Sequence, residues 1–249
     1  MKIIMLLLFL LVGGLLYSLD FVLIEPRDEE QVLSAFYVST VQVTQQLFRD
    51  IMGFNPSFFR GDSLPVESLS WYEAIVFCNR LSIVHHLTPV YIFEGTRYPD
   101  EWGEVPNHTH VYWSSIQADT LANGFRLMTN AEWYYLYDLL KDELHENIEE
   151  YAWIHTNSEN RTQVVGTKSP DKLGLYDFLG NVYEWRFDSR GNIPNDYFSP
   201  RTQEARLMVE SLSFDIMRSI DFMISRDDVG FWTLIRNRRV GLRVVRNME

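Results

Sequence analysis

Two stretches of this chain, residues 96–122 and 152–188, show neither helical nor strand periodicity. Loops longer than about 12–15 residues in a compact domain are usually functional or held by something specific. The chain has one cysteine, Cys78, so no intrachain disulfide can hold them. A bound ion is a natural candidate for that role. Any fold open to this sequence must order much irregular chain without covalent staples.

The periodic remainder is modest. Residues 21–25, "FVLIE", read as a buried strand, and residues 35–44 have strand composition. Thr44 then caps a helix that ends at Gly53, and Ser70 caps a second helix. In that second helix Trp71, Ala74, Ile75, Cys78 and Leu81 recur at helical spacing, which makes Cys78 a small buried hydrophobe. Residues 87–95 suggest a short strand, and "HVYWSS" at most one more. Thr129 or Asn130 caps an amphipathic helix, and the tail offers strands in "ARLMVESLSF" and "VGLRVVRN". With 249 residues, 46% of them hydrophobic, and no repeat or linker, the chain predicts one α+β domain with one sizeable core.

The N-terminus carries a targeting pattern: Lys2, an apolar run over residues 3–16, then Tyr17 and Ser18. The run is shorter than the ~20 residues a membrane span needs. Residues 1–18 are therefore expected to be a signal peptide, or a short N-terminal anchor because Leu16 is a poor −3 residue, with the domain over residues 19–249. The protein is expected to be exported: periplasmic, cell-surface or secreted. Basic residues number 22 against 34 acidic, a net charge of −12, which opposes nucleic-acid binding because that needs a basic surface. The cluster "RNRR" (236–239), with Arg243 and Arg246, reads as a solvated strand end or turn.

The stretch "GLYDFLGNVYEW" places Asp177 and Glu184 seven residues apart among glycine, asparagine and aromatics. Catalytic carboxylates, ion ligands and polar residues at a core edge all remain open. Two carboxylates held close repel unless a cation balances them. The bland alternative has Asp177 accepting backbone hydrogen bonds in a tight turn and Glu184 in a surface ion pair.

The motifs "FVLIEP", "VTQQLFRDIMGFNPSFFRGDSLPVESLSWYEAIVFCNRLS", "LTPVYIF", "GFRLMTNAEWYYL", "YAW", "VVGTKSPDKLGLYDFLGNVYEW" and "VGLRVVRN" follow one another in order. Together they resemble the sulfatase-modifying-factor domain, the family of formylglycine-generating enzymes, across residues 21–247. The resemblance implies a fold related to C-type lectins, with short strands, two or three helices and large ordered loops. It also implies that the 174–185 segment wraps a calcium ion, with side-chain oxygens from Asp177 and Glu184 and backbone carbonyls from Gly180 and Val182. Calcium takes six to eight oxygens in flexible geometry, which suits such a set. A second calcium ion is not expected, because the interval over residues 154–163 is short.

Oxidase members of that family need a cysteine pair before the final strand to bind copper, a task suited to soft thiolates. Residues 223–243 contain no cysteine. Related iron enzymes use a histidine triad drawn partly from an extra helical domain; this chain has six histidines, His85, His86, His108, His110, His145 and His155, and no such domain. Neither copper nor iron is expected. Two family segments are also replaced, by "RDEEQVLS" after the first strand and by "VESLSFD" (209–215). These departures predict a binding or display module with no oxidase activity. Its expected ligand face lies in residues 211–239, with Phe214, Arg218, Phe222, Phe231, Trp232, Arg236 and Arg238, since aromatics and Arg are enriched at interface hot spots. The expected partner is a protein or glycan at the cell surface. The alternatives are a catalytic member with a rearranged iron or copper site, and an accessory subunit that stabilises a partner.

Overall fold

The computed structural model describes residues 5–12, 15–26, 33–107, 113–187 and 236–248. Its centre is an antiparallel sheet in the order β1–β2–β3–β9–β6. The strands are β1 (Met5–Val12), β2 (Leu15–Ile24), β3 (Phe36–Ser39), β6 (Phe125–Leu127) and β9 (Val244–Asn247). β2 thus starts upstream of the expected Phe21, inside the run assigned to the leader, and pairs with β1 from Met5↔Val22 to Val12↔Leu15. Two small pairs complete the strands: β4 (Tyr91–Ile92) with β5 (Gln117–Ala118), and β7 (Tyr183–Glu184) parallel to β8 (Val240–Gly241). "WSS" is a 3₁₀ turn, Trp113–Ser115, where a strand was the alternative.

The sheet is covered on both faces, so its central strands carry apolar residues toward each of two cores. Phe21, Phe125, Leu127 and Val244 face one core with α1 (Gln45–Met52) and α2 (Trp71–Val84). Val22, Ile24, Val38 and Val245 face a second core with α3 (Asn130–Glu146). A short α4 (Ile148–Tyr151) follows. Cys78 is fully buried in α2, as its spacing predicted, and burial pushes its thiol pKa up.

The helix starts follow from single side chains. Thr44 accepts from Leu47 N–H, and Gly53 closes α1 in the left-handed region at φ 83°. Ser70 with Glu73, and Thr129 with Glu132, each form a reciprocal capping box. Irregular segments hang between these anchors by buried polar contacts. The Trp71 indole donates to Arg186 O at 3.0 Å, and the Trp185 indole to Leu69 O at 3.0 Å. Among the described residues no helix is long and apolar enough to cross a membrane.

Candidate functional site: an oxygen cluster at the 174–185 loop

The loop folds through left-handed backbone at Asp177 (φ 51°), Gly180 (φ 91°) and Asn181 (φ 57°). Asp and Asn tolerate that region better than other side chains, and glycine enters it freely. Asn181 then ties the loop to its neighbour: its Oδ1 accepts Gln163 N–H and its Nδ2 donates to Gln163 O, both at 3.0 Å. These turns aim three carbonyls and one carboxylate inward.

The oxygens converge on Gln42, which follows β3. Its Nε2 lies 3.3 Å from Asp177 O, 3.3 Å from Gly180 O, 3.0 Å from Val182 O and 3.1 Å from Glu184 Oε1. Arg243, between β8 and β9, closes the other side. Its Nε donates to Glu184 Oε1 (3.0 Å), Nη1 to Ser39 O (2.8 Å), and Nη2 to Tyr176 O (2.7 Å) and Asp177 O (3.2 Å). Both members of the Glu184–Arg243 pair are buried, with side chains 5% and 0% exposed. Burial raises the Glu184 pKa, while Arg243 and the Gln42 hydrogen bond oppose the rise.

The structure therefore brings together the four residues expected to hold calcium, with one change of atom. Asp177 offers the cluster its backbone carbonyl, while its carboxylate turns outward and Oδ2 accepts Gly166 N–H at 2.8 Å. The arrangement does not fit a calcium ion. Calcium–oxygen distances are ~2.3–2.6 Å; here an amide nitrogen occupies the convergence point at hydrogen-bond distances. Among the described residues, no group of three or more His, Cys, Asp or Glu side chains is placed to hold a metal.

Gln42 and Arg243 are the residues that sequence reasoning missed. The reading of Arg243 and Arg246 as solvated is corrected: they are 1% and 7% exposed. Arg246 sits opposite Tyr37 in the β3–β9 register, its guanidinium 5.3 Å from that ring centroid. The 236–239 segment does form a turn. There Arg236 pairs with Glu73 at 2.9 Å, and Arg238 lies 5.7 Å and 5.9 Å from the Phe58 and Phe59 ring centroids. Phe214, Arg218, Phe222, Phe231 and Trp232, with His108 and His110, lie outside the described residues.

Asp171, at the entry to the loop, is a further buried carboxyl. Its Oδ1 accepts Leu173 N–H (2.8 Å) and Leu175 N–H (3.1 Å), and burial pushes its pKa up to about 6. In an unfolded chain it titrates near ~3.9, so the folded state binds the proton more tightly. Its stabilising contribution is full below that value and is lost as pH rises to about 6. Burial moves Asp177 the same way, also to about 6. Asp171→Asn should keep the acceptor oxygen and remove the ionisation. The variant should gain roughly 1–3 kcal/mol on the parent between pH 4 and pH 7, and thermal melts across that range would show a shallower decline. Equal slopes would mean that the Asp171 carboxyl is ionised at little cost in the fold.

A family model described as the Sulfatase-modifying factor enzyme 1-like domain matches residues 8–248. A solved structure titled Treponema denticola variable protein 1 superposes with a TM-score of 0.75 at 26% identity, covering 98% of this chain and 99% of that one. A structure titled CarF gives a TM-score of 0.56 at 20% identity over 87% and 88% of the two chains, a likeness of fold. A curated relative, the chaperone protein LppX of Paenibacillus barcinonensis, is 36% identical over 182 residues. That match spans 64% of this chain and 64% of the relative's length. The expected fold class holds: one α+β domain of short strands, a few helices and long ordered loops, a fold shared with these neighbours. The chain belongs to the sulfatase-modifying-factor domain family.

Proposed function

We propose that this protein is an exported, non-catalytic binding module that uses the family scaffold to present loops to another polypeptide. The observation that carries this reading is the fate of its thiol chemistry. The sole cysteine is sealed inside α2 with a raised pKa, and a thiol without ready access to its thiolate is neither a nucleophile nor a soft-metal ligand. Residues 223–243, where oxidase members carry their cysteine pair, hold none. The carboxyls at the loop are engaged within the fold: Asp171 and Asp177 accept backbone amides, and Glu184 accepts from Gln42 and Arg243.

Support for a polypeptide ligand, over the glycan alternative, comes from the relative that is named a chaperone. The turn with Arg236 and Arg238 stands beside Phe58, which is 64% exposed, and so offers a mixed aromatic and cationic rim. The leader-like residues 1–18 support export.

Two measurements test the reading. The purified chain, loaded with copper and given a cysteine-containing sulfatase peptide, should leave the peptide mass unchanged; conversion of the cysteine to formylglycine would overturn the non-catalytic assignment. On cell fractionation a C-terminally tagged chain should appear in the periplasmic, surface or medium fraction, and recovery solely with a cytosolic marker would refute export.

A further inference from the structure

We infer that the Arg243 guanidinium and the Gln42 carboxamide form a built-in substitute for a metal cation, so that the 174–185 loop is ordered without calcium. The geometry points to it from both partners. The loop presents carbonyls of Asp177, Gly180 and Val182 and the Glu184 carboxylate to one point, and Gln42 Nε2 stands 3.0–3.3 Å from all four. An amide nitrogen has two hydrogens, so four acceptors must share them. That crowding is what an ion cage looks like when a donor group fills it.

Gln42 is neutral, and the balancing charge comes from Arg243. Its guanidinium reaches Glu184 Oε1, Ser39 O, Tyr176 O and Asp177 O, so three nitrogens satisfy one carboxylate and three carbonyls. The buried unit of Glu184 and Arg243 is then close to electroneutral. A calcium ion entering beside Glu184 would sit against the guanidinium that is already 3.0 Å from that carboxylate. Two cations at such a separation, away from water, repel strongly. Arg suits the task where Lys would not, because its planar fork serves several acceptors at fixed angles.

The substitution also changes what the loop is attached to. A metal ion would cross-link the loop to itself. Arg243 and Gln42 bind it to the sheet, through the chain that leaves β3 and the chain that enters β9. The order of the loop thus becomes part of the global fold and independent of the medium. Two buried acceptors, Gln42 Oε1 and Asp177 Oδ1, have no hydrogen-bond partner. A calcium ion that recruited them would have to displace Gln42 Nε2 from the convergence point, and the calcium arm of the test reads that outcome.

The full chain should be melted in millimolar calcium chloride and in a calcium chelator, with Arg243→Ala and Arg243→Lys beside it. Superimposed parental curves are expected, with Arg243→Ala lowering the midpoint by at least about 6 °C and Arg243→Lys by less. If Arg243→Ala fails to fold, the lysine variant and the parental pair still decide. A parental midpoint that rises with calcium and falls with chelator would overturn the inference. An Arg243→Lys or Arg243→Ala midpoint equal to the parent's would overturn it too, since the guanidinium would then hold nothing.

Discussion

Arg126→Met is expected to lower the unfolding free energy by roughly 3–5 kcal/mol, the usual cost of removing one partner from a buried ion pair. Arg126 is 2% exposed and grips Glu132 with two nitrogens, Nη1 to Oε2 at 2.8 Å and Nη2 to Oε1 at 2.6 Å. Its Nε and Nη2 also donate to Asn247 Oδ1 at 2.9 and 2.8 Å. One side chain on β6 therefore joins the first turn of α3 to the end of β9. Its loss leaves Glu132 buried, with only the capping contacts from Thr129 to hold its charge. Methionine fills much of the volume, so cavity formation is a minor part of the cost. Arg126→Met with Glu132→Gln removes the stranded charge and should recover part of the loss. Urea denaturation of the three chains measures both numbers. A single-variant cost under about 1 kcal/mol would place this pair with ordinary surface bridges.

The elements that sequence reasoning located are those decided within a few residues. Thr44, Ser70 and Thr129 each cap an amide three positions ahead, and Gly53 ends α1 with its own backbone. That the 174–185 loop turns in on itself was implied by the family resemblance, and its glycine and Asx residues supply the left-handed backbone that does so. What fills the loop was illegible. Gln42 lies 142 residues from Glu184, and Arg243 lies 204 residues from Ser39. No local pattern separates an arginine that enters a buried ion pair from one that faces water. Arg243 and Arg246 were grouped with the charge cluster at 236–239 as a solvated strand end or turn, yet β9 is flanked by β3 and β6 and covered on both faces. The expectation was an ion at these oxygens; the groups found against them are the Gln42 amide and the Arg243 guanidinium.

Gly180→Ala is expected to cost roughly 3 kcal/mol or more, and the comparison with Gly53→Ala explains why. Both glycines have left-handed backbone, at φ 91° and φ 83°. An alanine forced there costs ~1–2 kcal/mol. At Gly53 an added Cβ meets nothing within 4 Å, so that strain is the whole expected effect. At Gly180 the Cβ would lie 2.6 Å from Trp153 O, 3.0 Å from Ala152 Cβ and 3.1 Å from Trp153 N. These are mostly backbone atoms, and Trp153 O is already fixed by the Asn181 amide at 2.8 Å. Relief requires separating the two loops, which also moves Gly180 O away from Gln42. Gly180→Ala should therefore exceed Gly53→Ala by about 2 kcal/mol in paired urea melts. Equal costs would show that the 152–153 segment yields freely, and that the oxygen cluster depends on Gln42 and Arg243 alone.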